Sequence, residues 1–344
     1  MKSLRGGLPA VASDARPRRD RGARVSVRCG TCAGTAGPNE GNRGAQQAGN
    51  PPLRFAVIGS PVAHSRSPAM HAAAYRALGM PHTYEAIETS VAEVESRVEA
   101  LRRGEFAGLN VTVPHKVRAM ELADSVDAIA RIAGAANTLV RGDGGRITAH
   151  NTDVPALAGE LVRLAEERGG NEDTFRGTTA LVLGAGGAAR AAIAALASVL
   201  GVARIIVRDI TFPHQAFTEQ MQRVLSAATG TRLEITAEPL APARAEARDL
   251  SAIVQATSCG MSGGAPGAIV VDAVGWDTVA NTAVALDVVY VPRNTPFVEH
   301  ARSRGLASGN GLGMLARQGA LAFALWLGQK APFEIMCACL EKAT

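Results

Sequence analysis

Aromatic side chains are scarce: Phe, Trp and Tyr make up 4% of the 344 residues, with two Trp and three Tyr. Cysteine is scarce too. Five thiols in a chain this long do not make a disulfide framework, so a reducing, cytoplasmic location is expected. Long apolar runs are missing. The longest uncharged apolar stretch, 191–203, is Ala-rich and falls well short of the ~20 residues a bilayer requires, so no membrane partner is expected. Residues 1–30 lack the apolar block of ~7–15 residues that marks a secretory signal. His71, His82, His115, His150, His214 and His300 show no metal-ligand spacing, and no metal is expected.

What the chain does have is apolar mass. At 47% hydrophobic and 19% charged it can bury a core, which excludes wholesale disorder. Its length predicts two domains, at about 150 residues each. The net charge of +5 is unevenly placed: residues 1–53 hold nine basic and three acidic side chains, leaving −1 for the remainder. The basic character therefore belongs to a tail, and the globular part is not expected to bind nucleic acid. That tail is rich in Gly, Arg and Pro, has no hydrophobic period and is expected to be disordered. A transit peptide and an upstream start are its other readings, and an extension without catalytic role is favoured. Cys29 and Cys32 in the tail, with Cys337 and Cys339, have poor zinc spacing and read as inert thiols. Cys259 reads as a packing residue.

Order is expected from Leu53-Arg54-Phe55-Ala56-Val57-Ile58-Gly59, a short apolar strand ended by Gly. The polar loop Ser60 to Pro68 leads into a helix, with Ser67 as N-cap and Pro68 at the first helical position. A second strand and turn follow in Gly108-Leu109-Asn110-Val111-Thr112-Val113-Pro114-His115-Lys116. A third unit runs through Gly134-Ala135-Ala136-Asn137-Thr138, and Ala149-His150-Asn151-Thr152-Asp153 opens a further helix. Taken singly, Lys116 reads as a surface lysine and Asp153 as an N-cap. Polar groups recurring at the ends of four successive strands favour a ligand site, because open α/β sheets bind ligands there.

Thr178 to Leu183 reads as a buried parallel strand, followed by Gly184-Ala185-Gly186-Gly187-Ala188-Ala189-Arg190 and an Ala-rich helix. Gly184-x-Gly186-x-x-Ala189 between a strand and a helix fits the dinucleotide fingerprint, with the pyrophosphate received by N–H groups at the helix start. The next strand ends at Val207-Arg208-Asp209. An acidic residue there suits the ribose hydroxyls of NAD, and an Arg suits the phosphate of NADP. This chain has both, which leaves the preference open.

Together these residues resemble the shikimate dehydrogenase family. The resemblance rests on Ile58-Gly59-x-Pro61-x-x-His64-Ser65-Arg66-Ser67-Pro68, Asn110-Val111-Thr112-Val113-Pro114-x-Lys116, Gly134 to Thr138, Asn151-Thr152-Asp153 and Gly184 to Arg190. Ala256-Thr257-Ser258-x-Gly260-Met261, Asp287-x-x-Tyr290-x-Pro292 and Gly313-Met314-Leu315-x-x-Gln318 complete it, in the family's order from about Leu53 to Gly328.

The resemblance implies reversible, NADPH-linked reduction of 3-dehydroshikimate to shikimate, a step of aromatic amino acid and chorismate biosynthesis. It implies an α/β fold of two domains: 54–154 with 310–344 for substrate, and a Rossmann-type domain over 155–309 for NAD(P). The last helices return to the first domain. Lys116 and Asp153 match the catalytic pair. Ser65, Ser67, Thr112, Asn137, Tyr290 and Gln318 match substrate contacts. Gly184, Ala185, Gly186, Gly187, Ala188 and Gly313 are cofactor contacts, with Arg208 and Asp209 at the adenosine end. A lysine, ordinarily protonated at neutral pH, would donate the proton that ketone reduction requires, so shikimate oxidation is expected to accelerate towards alkaline pH.

The chain departs from the family in the segment after Val207, where an Asn-Arg-Thr and a later Arg are replaced by Arg208-Asp209-Ile210 without that Arg. Asp209 resembles the NAD-using quinate/shikimate dehydrogenases, whereas Ser67 is typical of shikimate enzymes. NADP with shikimate is the main expectation, in a monomer or homodimer. NAD and quinate are the alternative, and a non-catalytic NAD(P)-binding regulator is a more distant one.

Overall fold

From Arg54 onward, alternating apolar strands and helices form two six-stranded sheets in the computed structural model. The structure describes residues 51–210 and 215–342. The segment expected to be disordered, apart from residues 51–53, and the Cys29/Cys32 pair and His214 with it, lie outside the described residues.

The first sheet contains β1 (Arg54–Gly59), β2 (Thr83–Glu88), β3 (Gly108–Val111), β4 (Ser125–Val126), β5 (Thr138–Arg141) and β6 (Ile147–His150), in the order β2-β1-β3-β5-β6-β4. β5 runs antiparallel to both neighbours and the other pairs are parallel. The helices around it are α1 (Ser67–Ala77), α2 (Val94–Arg103), α3 (Lys116–Glu121) and α4 (Ala128–Ala133). One face buries Val98, Leu101, Ala119 and Ala130 from α2, α3 and α4.

α5 (Asp153–Glu166) leads from β6 to the second sheet, whose strands are β7 (Thr179–Leu183), β8 (Arg204–Asp209), β9 (Glu234–Pro239), β10 (Leu250–Gln255), β11 (Val284–Asp287) and β12 (Ala307–Gly309). All its pairs are parallel, in the order β12-β11-β10-β7-β8-β9. Read from the other edge, this is the doubly wound arrangement that binds dinucleotides where the strand order reverses, here between β7 and β10. β7 is buried along its whole length because helices cover both faces of the sheet. On one face lie α5, α6 (Gly187–Ala194) and α7 (Gln215–Thr229), and on the other α8 (Ala268–Asp272) and α9 (Pro296–Ser303).

The last two helices, α10 (Leu312–Leu327) and α11 (Phe333–Lys342), return to the first sheet. There Phe323, Met336 and Leu340 pack with Met70, Ala74 and Tyr75 of α1. The Trp326 indole N–H donates to the Leu139 carbonyl (3.1 Å) and lies where a side chain at Gly108 would stand, so glycine is required at that close approach. Glu160 of α5, almost wholly buried, accepts from Arg163 (2.9 Å) and from Arg317 of α10 (2.5 Å), tying the two helices together.

Two helix starts differ from expectation. Ser67 is the first residue of α1 and not its cap; the Ser65 hydroxyl accepts the Ser67 amide instead (3.3 Å). At α5 the Asn151 side-chain oxygen accepts the amides of Asp153 and Val154 (3.1 Å each). The side-chain oxygen that meets the first helical amide therefore comes from two residues earlier in both helices, ahead of the N-cap positions Arg66 and Thr152, and the Asp153 carboxylate is left for another partner.

Candidate active site

The turn after β3 places Lys116 at the start of α3, and the end of β6 places Asp153 at the start of α5. Their side chains meet, with Lys116 Nζ donating to Asp153 Oδ2 at 2.8 Å. Both are largely withdrawn from water, at 13% and 7% exposure. An ion pair so placed is poorly screened, and each member fixes the other.

A polar network holds Asp153 in position. Asn137 Oδ1 accepts the Thr152 amide (2.7 Å) and Asn137 Nδ2 donates to the Thr152 hydroxyl (2.9 Å). Asn110, one strand away, donates to the Thr138 hydroxyl (2.9 Å) and accepts from the Tyr84 hydroxyl (2.7 Å). Asn110, Asn137 and Thr152 are all buried. Asn137, expected as a substrate contact, thus braces the residue before Asp153. Asn110, Asn151 and Thr152 were not singled out as site residues, although for Asn110 a polar residue inside an apolar strand was a signal that could have found it.

Ser65 and Ser67 lie at the start of α1, half-buried and buried respectively. Tyr290, from the loop after β11, has its phenol close to Arg66 between them, and burial pushes that phenol upward in pKa. These three residues therefore form one patch. Thr112 is half-buried, its methyl group against Gly59. Gln318 is buried on α10, donating to the Leu315 carbonyl (3.0 Å).

The dinucleotide loop runs from β7 into α6. Gly184 has φ +111°, a conformation that favours glycine, and a side chain there would press on Thr257 and the Ala256 carbonyl. Gly186 is the N-cap of α6 and has open space beside it. Ala185 and Ala188 are half-exposed, and Ala189 is buried against the sheet. An exposed helix start backed by open glycine surface fits a pyrophosphate. Gly187 lies against the ion pair: a Cβ there would stand 3.2 Å from Lys116 Cδ. The candidate proton donor and the candidate cofactor loop are therefore in contact.

One of the expected cofactor contacts points elsewhere. Arg208 does not turn to the adenosine end. Its guanidinium is buried on the opposite face of β8, bound to Glu246 (2.6 and 3.1 Å), Glu238 (2.9 Å) and the Ala273 carbonyl (2.7 Å). Strand alternation sends it there and sends Asp209 to the α6 and α7 side, and the carboxylates make the burial favourable. Gly313, near the start of α10, packs against the Glu160 carboxylate, where a side chain would collide.

Asp287 at the end of β11 is fully buried. Burial pushes its carboxyl up to about 7, against the opposing pull of the Thr295 hydroxyl and the Val289 amide. The native state therefore keeps a proton that the unfolded chain releases near 3.8, and this contribution to stability is lost as pH rises from about 4 to 7. Asp287→Asn cannot titrate. Its urea midpoint, measured against the parent, is expected to rise across that window, and a constant difference would show that the carboxyl does not titrate there.

No group of three His, Cys, Asp or Glu among the described residues is placed to hold a metal, and no described helix is long and apolar enough to cross a membrane.

Comparison with known proteins fits this geometry. The family model described as shikimate dehydrogenase substrate binding domain matches residues 57–139, and that of the shikimate 5'-dehydrogenase C-terminal domain matches 311–336. A curated relative from Methanopyrus kandleri, named shikimate dehydrogenase (NADP(+)), is 38% identical over 285 residues, covering 81% of this chain and 92% of its own. The structure of Thermus thermophilus shikimate 5-dehydrogenase in complex with NADP(H) and shikimate aligns with TM-score 0.66 and 36% identity, over 85% of this chain and all of that one. Quinate dehydrogenase from Corynebacterium glutamicum in complex with NAD aligns with TM-score 0.70 and 27% identity, over 85% and 99%. Sequence, fold and site agree: the chain belongs to the shikimate dehydrogenase family.

Proposed function

We propose that the chain is a shikimate dehydrogenase that reversibly interconverts 3-dehydroshikimate and shikimate with NADP(H), in aromatic amino acid biosynthesis. The observation that carries the reading is the buried Lys116–Asp153 pair in contact with Gly187 of the dinucleotide loop. A nicotinamide held by the dinucleotide loop would supply the hydride that reduces the carbonyl carbon, and would take it back from the alcohol carbon in oxidation. Lys116 gives its proton to the carbonyl oxygen in reduction and takes one from the hydroxyl in oxidation. Asp153 holds the ammonium in place. Ser65, Ser67 and Tyr290 offer hydroxyls to the substrate, with Thr112, Asn137 and Gln318 as its remaining contacts. Gly184 to Ala188 cradle the pyrophosphate.

A division into 54–154 with 310–344 for substrate and 155–309 for cofactor fits these roles. So does a cytoplasmic monomer or homodimer that does not act on nucleic acid. One observation favours a second reading, in which NAD and quinate are also used: Asp209 ends β8 while Arg208 is held on its other face. The test is steady-state oxidation of shikimate and of quinate, each with NADP and with NAD, at pH 9. Turnover best with shikimate and NADP upholds the main reading. NAD preference with quinate turnover replaces it with the second, and no turnover with any pair overturns both.

A further inference from the structure

β10 and β11 are neighbours, and Gln255 and Asp287 face each other as their last paired residues. Both side chains are fully buried. The Gln255 amide donates to Asp287 Oδ1 (3.2 Å) and to the Cys259 carbonyl (3.0 Å), and its oxygen accepts the Thr257 amide (2.5 Å) and hydroxyl (2.8 Å). The loop after β10 is thereby wrapped around one amide. Asp287 gathers the other side, accepting the Val289 amide (2.9 Å) and the hydroxyl of Thr295, the N-cap of α9 (2.6 Å).

These two loops reach different halves of the site. Thr257 and Ala256 lie against Gly184 of the dinucleotide loop, and the Tyr290 phenol lies close to Arg66, between Ser65 and Ser67. Asp287 has no cation paired with it among the described residues. A buried carboxyl without a counter-charge is costly where an apolar residue would pack at no such penalty, so stability alone does not account for it. Its three donors come from three segments, which is the arrangement expected of a group that holds loops in register.

We propose that Asp287, acting with Gln255, is a positioning residue that sets the Tyr290 loop against the cofactor-side loop, and so fixes the substrate hydroxyl contact relative to the dinucleotide. This assignment rests on the dehydrogenase reading above.

The test uses Asp287→Asn, Gln255→Leu and Tyr290→Phe in the full chain, with Asp287→Asn/Tyr290→Phe as the double variant. Kinetics at pH 9 are read beside hydrogen exchange of the loops at 256–261 and 287–293. Partners of site residues typically matter by 10–100-fold. Asp287→Asn is therefore expected to raise KM for shikimate by roughly 10-fold or more while changing kcat several-fold less. The double variant should be no worse than the poorer single one. Exchange should quicken in both loops in Asp287→Asn and in Gln255→Leu, and stay unchanged in 250–255 and 284–286. Parental KM with parental loop exchange, effects of Asp287→Asn and Tyr290→Phe that multiply, or exchange raised throughout the sheet would each overturn the assignment. If the parent itself fails to oxidise shikimate, the dehydrogenase reading falls, and loop exchange alone decides whether the two loops are set by this pair.

Discussion

Replacing Lys116 by Ala is expected to lower kcat for shikimate oxidation by about 10²- to 10⁴-fold, the range ordinarily supplied by a positioned acid or base. KM should change only a few-fold. The asymmetry follows from where the lysine is held. Its ammonium is engaged by Asp153 at 2.8 Å and its stem lies along Gly187, whereas Ser65, Ser67 and Tyr290 form a separate patch. A group that moves a proton in the transition state lowers kcat and kcat/KM together when removed, and one that only binds raises KM. Lys116→Ala also leaves the Asp153 carboxylate, 7% exposed, without its counter-charge, and removing one partner of a buried pair costs about 3–5 kcal/mol. Lys116→Arg separates that cost from the chemistry. It keeps the charge beside Asp153, so the urea midpoint should stay near the parent's, but a guanidinium does not give up its proton and oxidation should still collapse. Near-parental turnover in Lys116→Arg, or a loss in Lys116→Ala confined to KM, would remove Lys116 from the acid–base role.

Much of this site was legible in the residues, for a physical reason. The glycine loop announces itself because a tight turn, a close approach and a helix start each demand a particular small residue at a fixed spacing, as at Gly184 with its φ of +111°. Polar residues at strand ends announce the cleft in the same way. Properties that depend on which side chain stands opposite in space were not legible. Alternation along β8 says that Arg208 and Asp209 point apart, but only the fold shows that Glu246 and Glu238 wait on the Arg208 side. The caps show the same limit. Ser67 and Asp153 fit the composition of an N-cap, yet Ser65 and Asn151 sit two residues earlier and take the amides. The Gln255–Asp287 pair was invisible because its residues are 32 positions apart and meet only through strand register.

The contact between Gly187 and Lys116 leads to the second large effect. A Cβ at Gly187 would stand 3.2 Å from Lys116 Cδ, tighter than ordinary contact, and 3.8 Å from its Cβ, and a valine adds two methyl groups to that space. Its backbone is not the obstacle, because Gly187 begins α6 with no left-handed φ. Either the lysine stem or the loop must then give way. A displacement of about 1 Å between reacting groups can cost 10²-fold, so kcat for Gly187→Val is expected to fall by about 10²-fold, with KM for NADP rising as well. Gly186→Ala supplies the contrast. Nothing lies within 4 Å of a Cβ there, so Lys116 is untouched and only the close approach of backbone to pyrophosphate is obstructed. That variant should raise KM for NADP and keep kcat within a few-fold of the parent. Two adjacent glycines, one crowding the lysine and one facing open space, should therefore separate proton transfer from cofactor binding. Equal kinetic signatures in the two variants would mean that the loop and Lys116 part company in the working enzyme.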